Sequence, residues 1–153
     1  MSSSQGEPDR PYQAGGQSGA GGSIAVGLRA TITADVTEAD TAQALGSGDV
    51  PVLGTPRLLA LAEAACVAAV GPQLTAGQTT VGTGVTLEHR RPSLVGTPLE
   101  VEAELTEIAD RRLVFNFIAY GPGGGEESVI GAGTVERVLV DADRFIARAG
   151  GAG

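Results

Sequence analysis

The sequence predicts an α+β domain in which an antiparallel sheet wraps around one long apolar helix. Three observations carry that expectation. Ile24, Val26, Leu28, Ala30, Ile32 and Ala34 recur at every second position, the period of a half-buried strand. A segment opened by Gly54-Thr55-Pro56 and closed by Gly71-Pro72 encloses RLLALAEAACVAAV, which is apolar on nearly every side and therefore belongs to a helix buried on most of its surface. Four strand-like runs then follow in succession, and strands grouped after a helix mark α+β rather than alternating α/β.

Residues 1–22 are rich in Ser, Gly and Gln with few apolar side chains, a composition that cannot offset its own ordering entropy, so a disordered tail is expected ahead of a domain over 23–149. After the first strand, Thr37 to Leu45 suits a short helix or a lid-like loop ending at Gly46-Ser47-Gly48. Thr55 is a permitted N-cap and Pro56 fits the first helical position of a helix of about sixteen residues. The four runs are Thr79–Glu88, Pro98–Ile108, Arg112–Tyr120 and Glu127–Val140. In the second of them Val101, Ala103 and Leu105 alternate with Glu100, Glu102 and Glu104, so one face meets water. Asp110-Arg111 and Gly121 to Gly125 supply turns, and Asp141 to Ala149 suits a short terminal helix. A helix apolar all round inside a curling sheet is the hot-dog arrangement, although a cystatin-like or ferredoxin-like sheet gives a similar string.

At 153 residues the chain is one domain long, and its hydrophobic share of 42% contains only 3% aromatics. A core of Ala and Val buries little area per residue, which favours a second subunit covering more surface. The formal charge of −8 and the absence of a basic stripe argue against a nucleic-acid partner. All basic residues are arginine. Cys66 is the single cysteine, so no intramolecular disulfide can form, and no signal-like or membrane-spanning apolar run is present. A cytoplasmic protein free of the membrane is expected.

Glu63 is the residue hardest to explain as structure alone. It is the only acidic residue between Asp49 and Glu88 and lies among Leu59, Ala60, Ala62, Ala64, Ala65, Cys66 and Val67. A carboxylate there must be partnered, protonated or facing a cavity, because burying it unpaired costs several kcal/mol. The competing explanation is a salt bridge to an arginine or a water-exposed dimer edge. His89, the single histidine, ends a strand before Arg90-Arg91-Pro92 and has the pKa for proton transfer near neutrality, though a lone histidine is more often a surface residue. Thr55 is by default a cap; functionally, its hydroxyl would lie by the positive end of the helix, with oxyanion donors from Arg57 and Leu58. Thr55 and Glu63 stand about 12 Å apart along the helix axis, so they cannot touch within one subunit. Arg90 and Arg91 suit phosphate oxygens, with a solvated strand end as the alternative. Cys66 reads as a small hydrophobe, Gly121 to Gly125 match no phosphate loop, and one His with one Cys is too few for zinc.

These residues carry a resemblance. GTPRLLALAEAACV, VGTGVTLEH ending at His89, Pro92 to Gly96, and the Gly131–Arg137 run GAGTVER occur in an order and spacing similar to the fluoroacetyl-CoA thioesterase-like family of hot-dog proteins. The resemblance implies a hot-dog thioesterase acting on an acyl-CoA-type thioester. It puts the family's chemical residues at Thr55, Glu63 and His89 and a glycine near the thioester at Gly82. Coenzyme A would enter only as part of the substrate, with no other cofactor, and the enzyme would work as a homodimer or higher homo-oligomer. The family's segment before the helix is rich in phenylalanine and closes as a lid, whereas residues 37–53 here contain no aromatic side chain. Thioester hydrolysis is therefore carried over without an acyl group.

Two other functions fit the same frame. A non-catalytic protein could hold acyl-CoA or a small ligand in the same groove. An enoyl-CoA hydratase of this fold is disfavoured, because its Asp-x4-His signature would need an aspartate where Gly84 stands.

Overall fold

The computed structural model describes residues 23–151, so the expected tail at 1–22 lies outside the described residues. Strand β1 (Arg29–Asp35) leads through a 3-10 turn at Glu38–Asp40 and the short helix α1 (Ala42–Leu45) to helix α2 (Thr55–Val70). Strands β2 (Gln78–His89), β3 (Pro98–Ala109), β4 (Arg112–Tyr120) and β5 (Val129–Asp141) follow, and helix α3 (Ala142–Ala149) ends the fold. The five strands form one sheet in the order β1-β3-β4-β5-β2, with every neighbouring pair antiparallel. Among the described residues no helix is long and apolar enough to cross a membrane.

Helix α2 lies across the sheet, against β1 and β3 above all. Its inward face is Leu58, Leu61, Ala62, Ala65, Cys66, Ala69 and Val70, all buried. These meet Val101, Ala103 and Leu105 of β3 and Phe115 and Phe117 of β4 in one core cluster. The small residues on the helix let it approach the sheet closely, and the two phenylalanines fill the space that remains. Truncating Phe115, which is fully buried, would cost about 3–5 kcal/mol. The expectation that α2 is buried on most of its surface is met only on this side. Ala60, Ala64 and Val67, spaced at helical intervals, are exposed in the single chain.

Two sequence expectations need correction at element ends. The period-two pattern begins at Ile24, yet β1 starts at Arg29, because Gly27 adopts φ +103° and the Leu28 amide turns back to the Ala25 carbonyl. That turn breaks the strand while leaving its apolar alternation intact. Gly54, not Thr55, is the N-cap of α2, which places Thr55 and Pro56 at the first two helical positions. A Cβ on Gly54 would press to within 3.1 Å of the Ala42 backbone, so a side chain fits there only if α1 gives way by a few tenths of an ångström. Elsewhere the correspondence is close: β4 spans the expected residues, and Asp110 makes the β3–β4 turn with a left-handed φ of 61°.

Candidate active site

The first turn of α2 is brought down onto the end of β2 by packing at one glycine. His89 pairs across the sheet with Gly131. A Cβ on Gly131 would stand 2.9 Å from both the Leu58 side chain and the Glu88 carbonyl, so only glycine lets the fully buried Leu58 sit there. With Leu58 seated, Thr55 one turn earlier reaches His89. Thr55 Oγ1 lies 2.9 Å from His89 Nδ1. A threonine acting as N-cap would spend its hydroxyl on a backbone amide. Since Gly54 holds that position, the hydroxyl is free for the imidazole.

Burial lowers the His89 pKa below its ordinary 6.5, with a smaller opposing influence from the nearby Arg91 backbone. The ring is therefore neutral at physiological pH. Its Nε2 is buried with no hydrogen-bond partner among the described residues. The donors expected from Arg57 and Leu58 are not available, because both amides donate to the Gly54 carbonyl, at 3.0 and 3.1 Å. The Gly54 amide is also engaged, with the Asp40 carbonyl at 2.9 Å. This leaves the Thr55 amide as the unengaged donor of the first turn among the described residues, since Pro56 has none.

The strap from Val36 to Gly54 is fastened beside this pair. The Leu53 amide donates to Ser93 O at 2.9 Å, and isolated bridges join Thr41 to Leu53 and Val52 to Leu94. Arg57 Nε stands 2.9 Å from Asp40 Oδ1, an ion pair too oblique to count as a hydrogen bond. Between strap and strand end opens a cavity of about 360 Å³ that Thr55, His89, Arg90 and Arg91 all line. Arg90 and Arg91 are thus at the mouth of the site, although Arg90 is engaged by Glu88 at 3.2 Å in water-exposed surroundings.

Glu63 lies elsewhere. Its Oε2 accepts from Arg137 at 2.8 Å. The same guanidinium donates from Nε to Thr80 Oγ1 at 2.9 Å and from the other terminal nitrogen to Thr80 O at 2.8 Å. Arg137 is only 8% exposed, so its charge is neutralised inside the protein, whereas the Glu63 side chain keeps 35% exposure and presents a carboxylate edge to the surface. Gly82 lies directly beneath: a Cβ there would collide with Glu63 Oε2. The β2–β5 register also shifts between Gly82 and Gly84, a bulge beside the carboxylate. Glu63 and His89, which the resemblance puts in one site, are therefore not brought together within the chain. Thr55 holds His89, and Glu63 takes an arginine, as its alternative explanation required.

Arg137 is the residue that sequence reasoning missed. A signal was present, since buried Val135 fixes which face of β5 is inward and Arg137 shares that face two positions on. An arginine on the core side of a strand needs a buried acidic partner.

A five-stranded antiparallel sheet wrapped on one long helix is the hot-dog arrangement, and its relatives place it among the thioesterases. Known proteins agree. Residues 36–143 match the family described as fluoroacetyl-CoA-specific thioesterase, and the chain belongs to that family. A fluoroacetyl-CoA thioesterase from Streptantibioticus cattleyicolor is 34% identical over 97 residues, covering 63% of this chain and 67% of that protein. A solved structure of the fluoroacetyl-CoA thioesterase superposes with a TM-score of 0.76 at 28% identity, over 83% of this chain and 96% of the other. A Thermus thermophilus thioesterase superfamily member gives 0.74 at 26% identity, over 82% and 90%.

Proposed function

We propose that the protein hydrolyses an acyl-CoA-type thioester, with His89 as the base, Thr55 at the thioester carbonyl, and Glu63 supplied to each site by a second copy of the chain. The observation that carries this reading is the 2.9 Å contact between Thr55 Oγ1 and His89 Nδ1 on a neutral imidazole. A neutral ring with Nδ1 as acceptor can take the threonine proton as Oγ1 attacks the carbonyl carbon. The proton then passes to the departing thiolate. Water, deprotonated in turn by His89, adds to the threonyl ester, and His89 returns that proton to Thr55 Oγ1 as the C–O bond breaks and the carboxylic acid leaves. The free Thr55 amide at the positive end of α2 is placed to receive the oxyanion.

The second copy follows from distance and from what the single chain leaves open. Glu63 lies two helical turns beyond Thr55, and no described residue carries it to His89. Strand β2 is an outer strand of the sheet, exposed from Gly82 through Thr86, with Val85 45% exposed. Beside it runs the exposed stripe Ala60, Ala64 and Val67. A long edge strand next to an apolar helix face is a surface that a protein covers. Pairing two β2 strands antiparallel about a two-fold axis, with Gly82 opposite the other copy's His89, sets each Glu63–Gly82 cluster against a Thr55–His89 pair. A reducing, cytoplasmic setting accords with the buried free thiol of Cys66.

The test is thiol release from a panel of acyl-CoA esters by the full chain and by Thr55→Ala. Turnover by the native protein that the variant lacks supports the assignment. Tight binding of the panel with no thiol released would identify a ligand-binding protein instead.

A further inference from the structure

The strap lines the cavity mainly with small and aliphatic side chains, the loop after His89 adds Arg90, Arg91 and Pro92, and no aromatic carbocycle lines it. On the strap side the wall consists of Ala42, Val50, Val52 and Leu53, with Gly48 and Gly54 adding no bulk. Ser47 and Asp49 are the strap's only polar side chains there. The apolar surface continues outward. Val50 is 50% exposed and Leu45 42%. Leu94, bridged to Val52 through the backbone, is 67% exposed, and its neighbour Val95 is 45% exposed. Of these four, Val50 lines the opening itself, and Leu45, Leu94 and Val95 lie on the segments that adjoin it in sequence or by the Val52–Leu94 bridge.

We propose that the acyl group of the substrate is an unsubstituted aliphatic chain of about six to ten carbons, lying along the strap. This rests on the thioesterase reading above and names the substrate class of the same site. Volume sets the length. An enclosed apolar cavity of about 150 Å³ holds a six-carbon ring; the groove here, open to solvent along one side, measures about 360 Å³ and has room for a thioester carbonyl and a chain longer than two carbons. The absence of aromatic side chains on the strap leaves that depth unfilled. Direction follows from the lining: the carbonyl lies at Thr55 and His89, the aliphatic wall receives the chain, and Arg90 and Arg91 face the carrier side.

The experiment is kcat/KM for straight-chain acyl-CoA esters from two to fourteen carbons, together with binding of the hydrolysis-inert ethyl and octyl thioethers of coenzyme A. Burying each added methylene should raise kcat/KM about three- to fourfold until the wall is filled. The eight-carbon ester should therefore exceed acetyl-CoA by at least tenfold, and the octyl thioether should bind more tightly than the ethyl one. Val50→Asp alters a half-exposed residue, so folding is not at stake, and it should lower the eight-to-two-carbon ratio. An optimum at two carbons, or a flat series with equal binding of both thioethers, overturns the chain-length inference while leaving hydrolysis intact. Preferential octyl binding without turnover of any ester would uphold the chain class and overturn the hydrolase reading.

Discussion

Helix α2 carries two polar clusters that differ in almost every physical respect. At its start Thr55 and His89 are neutral groups joined by one bond between exposed and half-buried side chains, with Nε2 of the imidazole left unpartnered among the described residues. At its middle Glu63 and Arg137 form an ion pair, and Arg137 makes three hydrogen bonds in the interior, one from each guanidinium nitrogen. In the proposed mechanism the first cluster is the one that reacts, and a single neutral hydrogen bond contributes little to stability. The second is built to hold a charge in place, and breaking it exposes the protein to a buried unpaired guanidinium. Substitutions should separate the two clusters by how much activity and how much stability each costs.

The largest effect belongs to the first cluster. Thr55→Ala and His89→Ala should each lower kcat by about 10²–10⁴, the scale of lost nucleophile or acid–base assistance. Thermal unfolding should move little, since a partly exposed neutral hydrogen bond contributes only about 1 kcal/mol. A comparable fall in stability would place Thr55 among the structural caps after all. Next comes Glu63→Gln, expected to reduce turnover about 10²-fold and, unlike the first pair, to lower Tm as well, because Arg137 loses its counter-charge. The Glu63→Gln/His89→Ala double variant should lose little beyond the worse single change. Additive losses would mean that the two clusters serve separate steps.

Gly82→Ala should be milder in chemistry and visible in structure. The added methyl displaces the Glu63 carboxylate it would strike, so activity should fall about tenfold with a lowered Tm, as overpacking costs about 1–3 kcal/mol. Native behaviour of this variant would separate Gly82 from the carboxylate. The pH profile follows from His89. Its folded pKa is depressed, so the active neutral ring persists to below pH 6.5, and kcat/KM should fall only as pH drops through that lowered value. The same shift makes the His89 contribution to stability complete above the unfolded pKa and lost as pH falls through the folded one. An acid limb centred above 6.5 would contradict it. The smallest effect is at Cys66, whose thiol burial pushes up to about 12, so iodoacetamide at pH 8 should leave the native protein unlabelled.

Much of this arrangement was legible from pattern. The glycine and proline punctuation marked both ends of α2 to within a residue, and Arg112–Tyr120 was readable from its alternation. Glu63 announced itself by being a charge among alanines. What pattern could not give was contact across the fold. That Gly54 rather than Thr55 caps the helix depends on how closely α1 presses on the strap. The choice of Arg137 over His89 as the Glu63 partner depends on the β2–β5 register and its bulge at Gly82. Neither fact is local in sequence. The exposed stripe at Ala60, Ala64 and Val67 shows the converse: a helix apolar all round in sequence is buried on one side only in the single chain.

The assembly of each site from two chains is tested most directly by mixing two inactive proteins. His89→Ala retains Glu63, and Glu63→Gln retains the Thr55–His89 pair. After unfolding and refolding together in equal amounts, half the dimers are mixed, and one of the two sites in each mixed dimer combines native Glu63 with native His89. Activity should then recover to about a quarter of the native level. Recovery no greater than the mean of the two separately refolded variants would contradict a shared site and return Glu63 to the structure of its own subunit.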